Sequence, residues 1–72
     1  MADEFEVVSH SKNSWGMELN FKADGFHYCY RDYENGTKAH LWSERDGRWL
    51  GYSAMKPILD KYNIVTLAQL LS

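Results

Sequence analysis

Asp24-Gly25, Asn35-Gly36 and Asp46-Gly47 recur at intervals of eleven residues. Each pair tolerates positive φ at both positions, as a two-residue type I′ hairpin turn requires. The segments between them are nine residues long and rich in aromatics, which reads as strand. Residues 15–52 are therefore expected to form a four-stranded antiparallel meander. Residues 1–14 would supply a strand and a loop before it, and residues 53–72 helices after it. The fold class is α+β, with four or five strands and one or two short C-terminal helices on one face of the sheet.

Alternation sets the faces. Trp15, Met17, Leu19 and Phe21 share one side of the first strand, while Gly16, Glu18, Asn20 and Lys22 share the other. That pattern suits a strand with one buried and one wet face. Two-residue turns then fix the pairing. Around Asp24-Gly25, Ala23 faces Phe26, Phe21 faces Tyr28, Leu19 faces Tyr30 and Glu18 faces Arg31. Around Asn35-Gly36, Tyr30 faces Leu41, Cys29 faces Trp42, His27 faces Glu44 and Arg31 faces His40. Apolar residues meet apolar ones, and a one-residue slip would reverse every face.

A two-residue loop at Asp46-Gly47 sets Arg45 against Arg48, a like-charge pair that costs stability. A glycine bulge would relieve it, shift the last strand by one residue and turn Trp49 to the other face. The simple register is kept here. The core face then holds Trp15, Met17, Leu19, Phe21, Phe26, Tyr28, Tyr30, Ala39, Leu41, Leu50 and Tyr52. The open face holds Glu18, Asn20, Lys22, His27, Cys29, Arg31, Tyr33, Lys38, His40, Trp42, Glu44 and Trp49.

The flanks are read from weaker signals. Residues 3–9 alternate imperfectly and suit a fifth strand with Phe5 and Val7 on one face, and residues 9–14 hold no apolar residue before Trp15 and read as a loop. In the tail, Met55, Ile58, Leu59 and Tyr62 recur at helical spacing. Ser53 is the expected N-cap, Pro57 falls in the first turn, and Asn63 suits a left-handed C′ position that folds Ile64 back on Leu59. Thr66 and Gln69 form a capping box with Val65 and Leu70 as its staple. A second helix over 67–71 would bring Leu67, Leu70 and Leu71 to the core.

Composition narrows the function classes. The chain has 72 residues, 44% hydrophobic and 15% aromatic, and a net charge of −2. One core is just sufficient at this size, and nothing draws the chain to polyanions in general. A lone Cys29 cannot form an internal disulfide, the N-terminus lacks a signal-peptide pattern, and no apolar run is long enough to span a membrane. A soluble, cytoplasmic domain is the expectation. Hydrolase, zincin, Walker and dinucleotide motifs are absent, and Asp32 and Glu34 sit at a strand end, so no enzyme is expected. His27, Cys29, His40 and Glu44 are plausible zinc ligands, but structural zinc sites usually have two close ligand pairs and this chain has one. No metal or cofactor is expected.

The open face carries the strongest functional signal. Wet sheet faces usually bear Thr, Lys and Glu; this one bears Trp42, Tyr33, His40 and Trp49 beside Arg31 and Lys38. Trp, Tyr and Arg dominate binding hot spots, and the mixed-sign rim suits a protein partner. The expectation is a non-enzymatic domain that binds and modulates or inhibits a larger macromolecule through these six residues. Size alone suggests a phage or mobile-element accessory protein. The competing class is a single-stranded nucleic-acid binder, with the aromatics as stacking platforms and Arg31, Lys22 and Lys38 on phosphates. Four antiparallel strands followed by a helix are similar in layout to some single-strand binders, a likeness of topology without a motif. A homodimer through a sheet edge or the open face is a further expectation.

Overall fold

The computed structural model describes residues 4–33 and 39–71. Five strands, β1 (Phe5–Asn13), β2 (Gly16–Ala23), β3 (Phe26–Tyr33), β4 (His40–Ser43) and β5 (Arg48–Leu50), form one antiparallel sheet in sequence order. Two helices follow, α1 (Tyr52–Lys61) and α2 (Ile64–Leu71). This is the α+β architecture expected from the turn spacing, with the fifth strand present.

The β2–β3 hairpin has the predicted register, with Ala23 opposite Phe26, Leu19 opposite Tyr30 and Glu18 opposite Arg31. Asp24 and Gly25 both take positive φ, at 53° and 85°, as the two-residue turn demands. The β3–β4 pairing also agrees: Tyr30 lies opposite Leu41, Cys29 opposite Trp42 and Arg31 opposite His40. Asn35-Gly36 lies outside the described residues. His27 and Glu44 meet just beyond the ladder, where the Glu44 amide donates to the His27 carbonyl at 3.0 Å.

Two parts of the sheet differ from the expectation. Residues 9–13 are not a loop but the second half of β1, running to Asn13 opposite Gly16. Their exposure explains the missing hydrophobic signal: this edge strand pairs beside the core residues Leu19 and Met17 but is itself exposed and has no apolar face to declare. Its register shifts between Val7 and Ser9, leaving Val8 as the extra residue of a bulge. Such a bulge disrupts a long edge that could otherwise pair with another chain. At the third turn, Ser43 faces Arg48, Trp42 faces Trp49 and Leu41 faces Leu50, so the loop holds four residues, Glu44–Gly47, instead of two. The Gly47 amide donates to the Ser43 carbonyl at 2.8 Å, and Ser43 Oγ bonds both the Asp46 carboxylate and the Asp46 amide. Arg45 and Arg48 are thereby taken out of opposition. Because β5 moves by two residues and not one, Trp49 keeps the open face.

The core forms where the alternation placed it. Met17, Leu19, Phe21, Ala23, Tyr28, Tyr30, Leu41 and Leu50 from the sheet meet Met55 and Leu59 of α1 and Ile64 and Ala68 of α2. Three residues expected on the core face of the sheet lie elsewhere. Trp15 belongs to the β1–β2 turn, Phe26 is exposed beside the Asp24-Gly25 turn, and Tyr52 is the exposed first residue of α1. Gly16, expected on the wet face, is buried at φ 146° against the Asp32 and Tyr33 backbone.

The helix ends follow backbone geometry more than side-chain caps. Gly51, not Ser53, is the N-cap, and its carbonyl accepts from the Ala54 and Met55 amides. Ser53 sits within the first turn, which puts Pro57 about two residues deeper in the helix than expected; the Ser53 carbonyl that loses its i+4 donor there belongs to an exposed residue. Asn63 is left-handed as predicted, with φ 54°. It leads directly into α2, its carbonyl accepting from the Leu67 amide at 3.0 Å. The second helix thus starts at Ile64, and Thr66 and Gln69 lie inside it instead of forming a capping box. Ile64 and Ala68 are its buried residues, Leu67 and Leu71 pack partly, and Leu70, expected in the core, is 77% exposed. At the far end of α1, Tyr62 stacks on Phe5 at 5.1 Å and its hydroxyl donates to Asp24 at 3.2 Å, tying the helix to both the edge strand and the first predicted turn.

Two substitutions test this arrangement by thermal and denaturant unfolding. Leu41→Ala, at a fully buried position, is expected to cost about 2–5 kcal/mol, and Trp42→Ala on the open face clearly less; the reverse order would mean that the faces are inverted. Gly16→Ala places a Cβ against the Asp32 carbonyl at a φ that disfavours side chains, so a loss on the order of 3 kcal/mol is expected. Gly25→Ala, with open space around it, should cost about 1 kcal/mol.

Candidate functional site on the open sheet face

Arg31 is the centre of the open face. Period-two alternation on β3 turns it away from the core that Tyr30 enters, and the register sets it between Glu18 on β2 and His40 on β4. Its Nε donates to Glu18 Oε1 at 3.0 Å. The guanidinium carbon lies 5.5 Å from the Trp15 ring centroid and 5.4 Å from that of Trp49, within cation–π range of both. Tyr33 packs 5.2 Å from Trp15 and 5.4 Å from His40, and His40 packs edge-on to Trp49 at 6.0 Å. Trp15, Tyr33, His40 and Trp49 thus form a ribbon of rings around one cation.

Of the six residues that the sequence singles out, Arg31, Tyr33, His40 and Trp49 are joined by direct contacts. Trp42 is next to them, half-buried on β4 opposite Trp49. Lys38 lies outside the described residues. Trp15 is the member that sequence reasoning missed. Its alternation with Met17 and Leu19 suggested the core, but Asn13 and Ser14 are turn formers that end β1, and the turn leaves Trp15 free to fold over Arg31. Trp15 is 37% exposed and Trp49 46%.

Glu18 holds this centre electrostatically. Its second carboxylate oxygen accepts from Asn20 Nδ2 at 3.2 Å, and the same Asn20 amide also reaches Ser9 Oγ on β1 at 3.2 Å. The Asn20 bond and the Arg31 pair hold the Glu18 carboxyl below its ordinary range, against an opposing effect of partial burial. The Tyr33 hydroxyl and Glu18 hold Arg31 in its charged form more firmly than usual. Burial, reinforced by the nearby Glu18 charge, pushes the Cys29 thiol up, which makes it a poor nucleophile. At the other end of the face, Glu44 accepts from the His27 amide at 3.0 Å, with His27 Nδ1 3.5 Å away, and its pKa is lowered chiefly by that backbone bond.

On this face Glu18 pairs with Arg31, Glu44 accepts from the His27 amide, and Glu6 lies opposite Lys22 across β1–β2. The Trp15 and Trp49 rings are exposed beside them. Among the described residues no group of three or more His, Cys, Asp or Glu side chains could hold a metal, and no helix is long and apolar enough to cross a membrane. The fold and site together define a small α+β domain with an aromatic patch on an open sheet face. No protein-family model, curated protein or solved structure matches the chain.

Glu18 has a lowered pKa in the folded state, so its contribution is present above the carboxylate's unfolded-state pKa and lost as pH falls through the folded value. Glu18→Gln is expected to destabilise the domain at neutral pH by about 0.2–1 kcal/mol, the range of a partly exposed pair. The gap between wild type and variant should close as the pH is lowered through the carboxylate range. A gap that is constant with pH would show that the ion pair does not contribute.

Proposed function

We propose that this chain is a non-enzymatic interaction domain that acts in the cytoplasm. Its open sheet face docks on a larger protein and modulates or inhibits it. The observation that carries this reading is the ribbon Tyr33–Trp15–Arg31–Trp49–His40, assembled on an exposed surface with Arg31 fixed by Glu18. Interface hot spots favour Trp, Tyr and Arg in well-packed positions. Here the side chains are held by one another before any partner arrives, so less conformational entropy is lost on docking.

The charge pattern favours protein over nucleic acid. A binder of single strands needs cations free to displace counterions from phosphates. The central cation of this patch is already matched by Glu18, and Glu6, Glu44 and Glu18 are spread over the same face. The rings do offer stacking surfaces, which is what keeps the nucleic-acid reading testable.

The test is affinity capture from lysate of the source cells with wild type, Trp49→Ala and Trp15→Ala, with and without nuclease. It is paired with titration of single-stranded DNA at two salt concentrations. A protein partner retained after nuclease and lost in both variants is the expected result. Salt-sensitive DNA binding that the variants lose would replace this proposal with the nucleic-acid one. Partners unchanged by either variant would overturn the assignment of this face.

A further inference from the structure

On the opposite side of the sheet, the packing of α1 and α2 over β3 leaves a cavity of about 460 Å³, lined among the described residues by Tyr30, Ala39, Tyr52, Met55, Leu59 and Val65. No charged side chain is among them. Tyr52, 62% exposed, and Val65, 43% exposed, are the lining residues most open to solvent, while Tyr30, Met55 and Leu59 are buried. Tyr30 is 2% exposed, and its hydroxyl has no hydrogen-bond partner among the described residues. Yet no described side-chain oxygen or nitrogen is both sealed and unpaired. The Tyr30 oxygen therefore reaches accessible space, and Tyr30 is among the residues that line this cavity.

We propose that the cavity is a binding site for a small, uncharged, largely aromatic or aliphatic molecule that carries one hydrogen-bond acceptor for the Tyr30 hydroxyl. Volume supports this: ligand sites generally span about 300–1,000 Å³ and are mostly apolar with few polar groups. The wall chemistry selects the class. Met55, Leu59, Val65 and Ala39 offer dispersion contacts and nothing to a charge, so an ionic ligand would lose its hydration without replacement. Water filling the same space would find few partners, and a water without two to four of them is poorly held. Burial, with a lesser effect from Asp32, pushes the Tyr30 pKa up to about 12, so its phenol stays neutral and able to donate. Tyr30 and Arg31 are adjacent on β3 and face opposite ways, so this site is separate from the aromatic patch.

The probe is 2-naphthol, neutral at pH 7, titrated into the full chain and followed by methyl and indole NMR. Saturable shifts at Met55, Leu59 and Val65 are expected, with the Trp49 indole unmoved. The anion 2-naphthoate should bind at least tenfold more weakly. Tyr30→Phe should weaken 2-naphthol several-fold and leave naphthalene unaffected. Ala39→Leu, which fills the cavity, should abolish binding; Val65→Trp, at an exposed position, provides the same block if the first variant fails to fold. Absence of saturable shifts, equal binding of the anion, or binding unchanged in the blocked variant would overturn the proposal. Failure here would leave the open-face reading standing, because that reading is tested by Trp15 and Trp49.

Discussion

The pairing of β2 with β3 is the constraint on which the other features depend. Asp24 and Gly25 adopt the two consecutive positive-φ conformations of a tight hairpin, and this sets Leu19 on Tyr30 and Glu18 on Arg31 at once. The first pair starts the core. The second starts the open face. A shift of one residue would put Glu18 and Arg31 on opposite faces and turn either Leu19 and Phe21 or Tyr28 and Tyr30 to the wet side, at a cost of roughly 1.5–3 kcal/mol for each large side chain moved into water. No one-residue slip approaches that balance, which is why a short turn can commit half the sheet.

The same parity argument explains what could be read from the sequence and what could not. The third turn has four residues where its Asp-Gly pair suggested two, yet Leu50 remained in the core and Trp49 on the open face, because an even shift preserves sides. What changed was the neighbour: Trp49 lies opposite Trp42 instead of Glu44, and so comes within reach of His40 and Arg31. The cause is Ser43, whose hydroxyl takes both Asp46 groups and builds a wider loop. No hydrophobic pattern reports such a local polar bond. β1 poses the opposite problem. Its bulge at Val8 is an odd insertion that exchanges sides partway along, and its second half is exposed on both, so alternation carries no information there.

Helix ends were legible only where the backbone itself dictated them. Asn63 is one of the few residue types that enter the left-handed region at low cost, and it does so here. Ser53, Thr66 and Gln69 suit caps equally well on paper, but Gly51 ends the strand and starts the helix with its carbonyl alone. Once α1 starts at Tyr52, the link through Tyr62 and Asn63 sets α2 to begin at Ile64. Tertiary packing then selects Ile64 and Ala68 as the buried residues and leaves Leu70 in solvent. The weaker local signals lose to the geometry that buries Ile64 completely.

Trp15 shows how the candidate site follows from the same logic. As a strand residue it would point into the core; as a turn residue it is free of the alternation and closes over Arg31. The turn can form because Gly16 accepts φ 146° and lets the β3 backbone approach where any side chain would collide with Asp32. A glycine with no chemistry of its own therefore positions the ring that completes the aromatic ribbon. The consequence is mechanical as well as electrostatic: Trp15 approaches Arg31 from the β1–β2 turn and Trp49 from β5, so the patch holds its shape only while both hairpins are formed. Binding at this face and stability of the sheet are coupled through Arg31, whereas the cavity beneath Tyr30 draws on the helices.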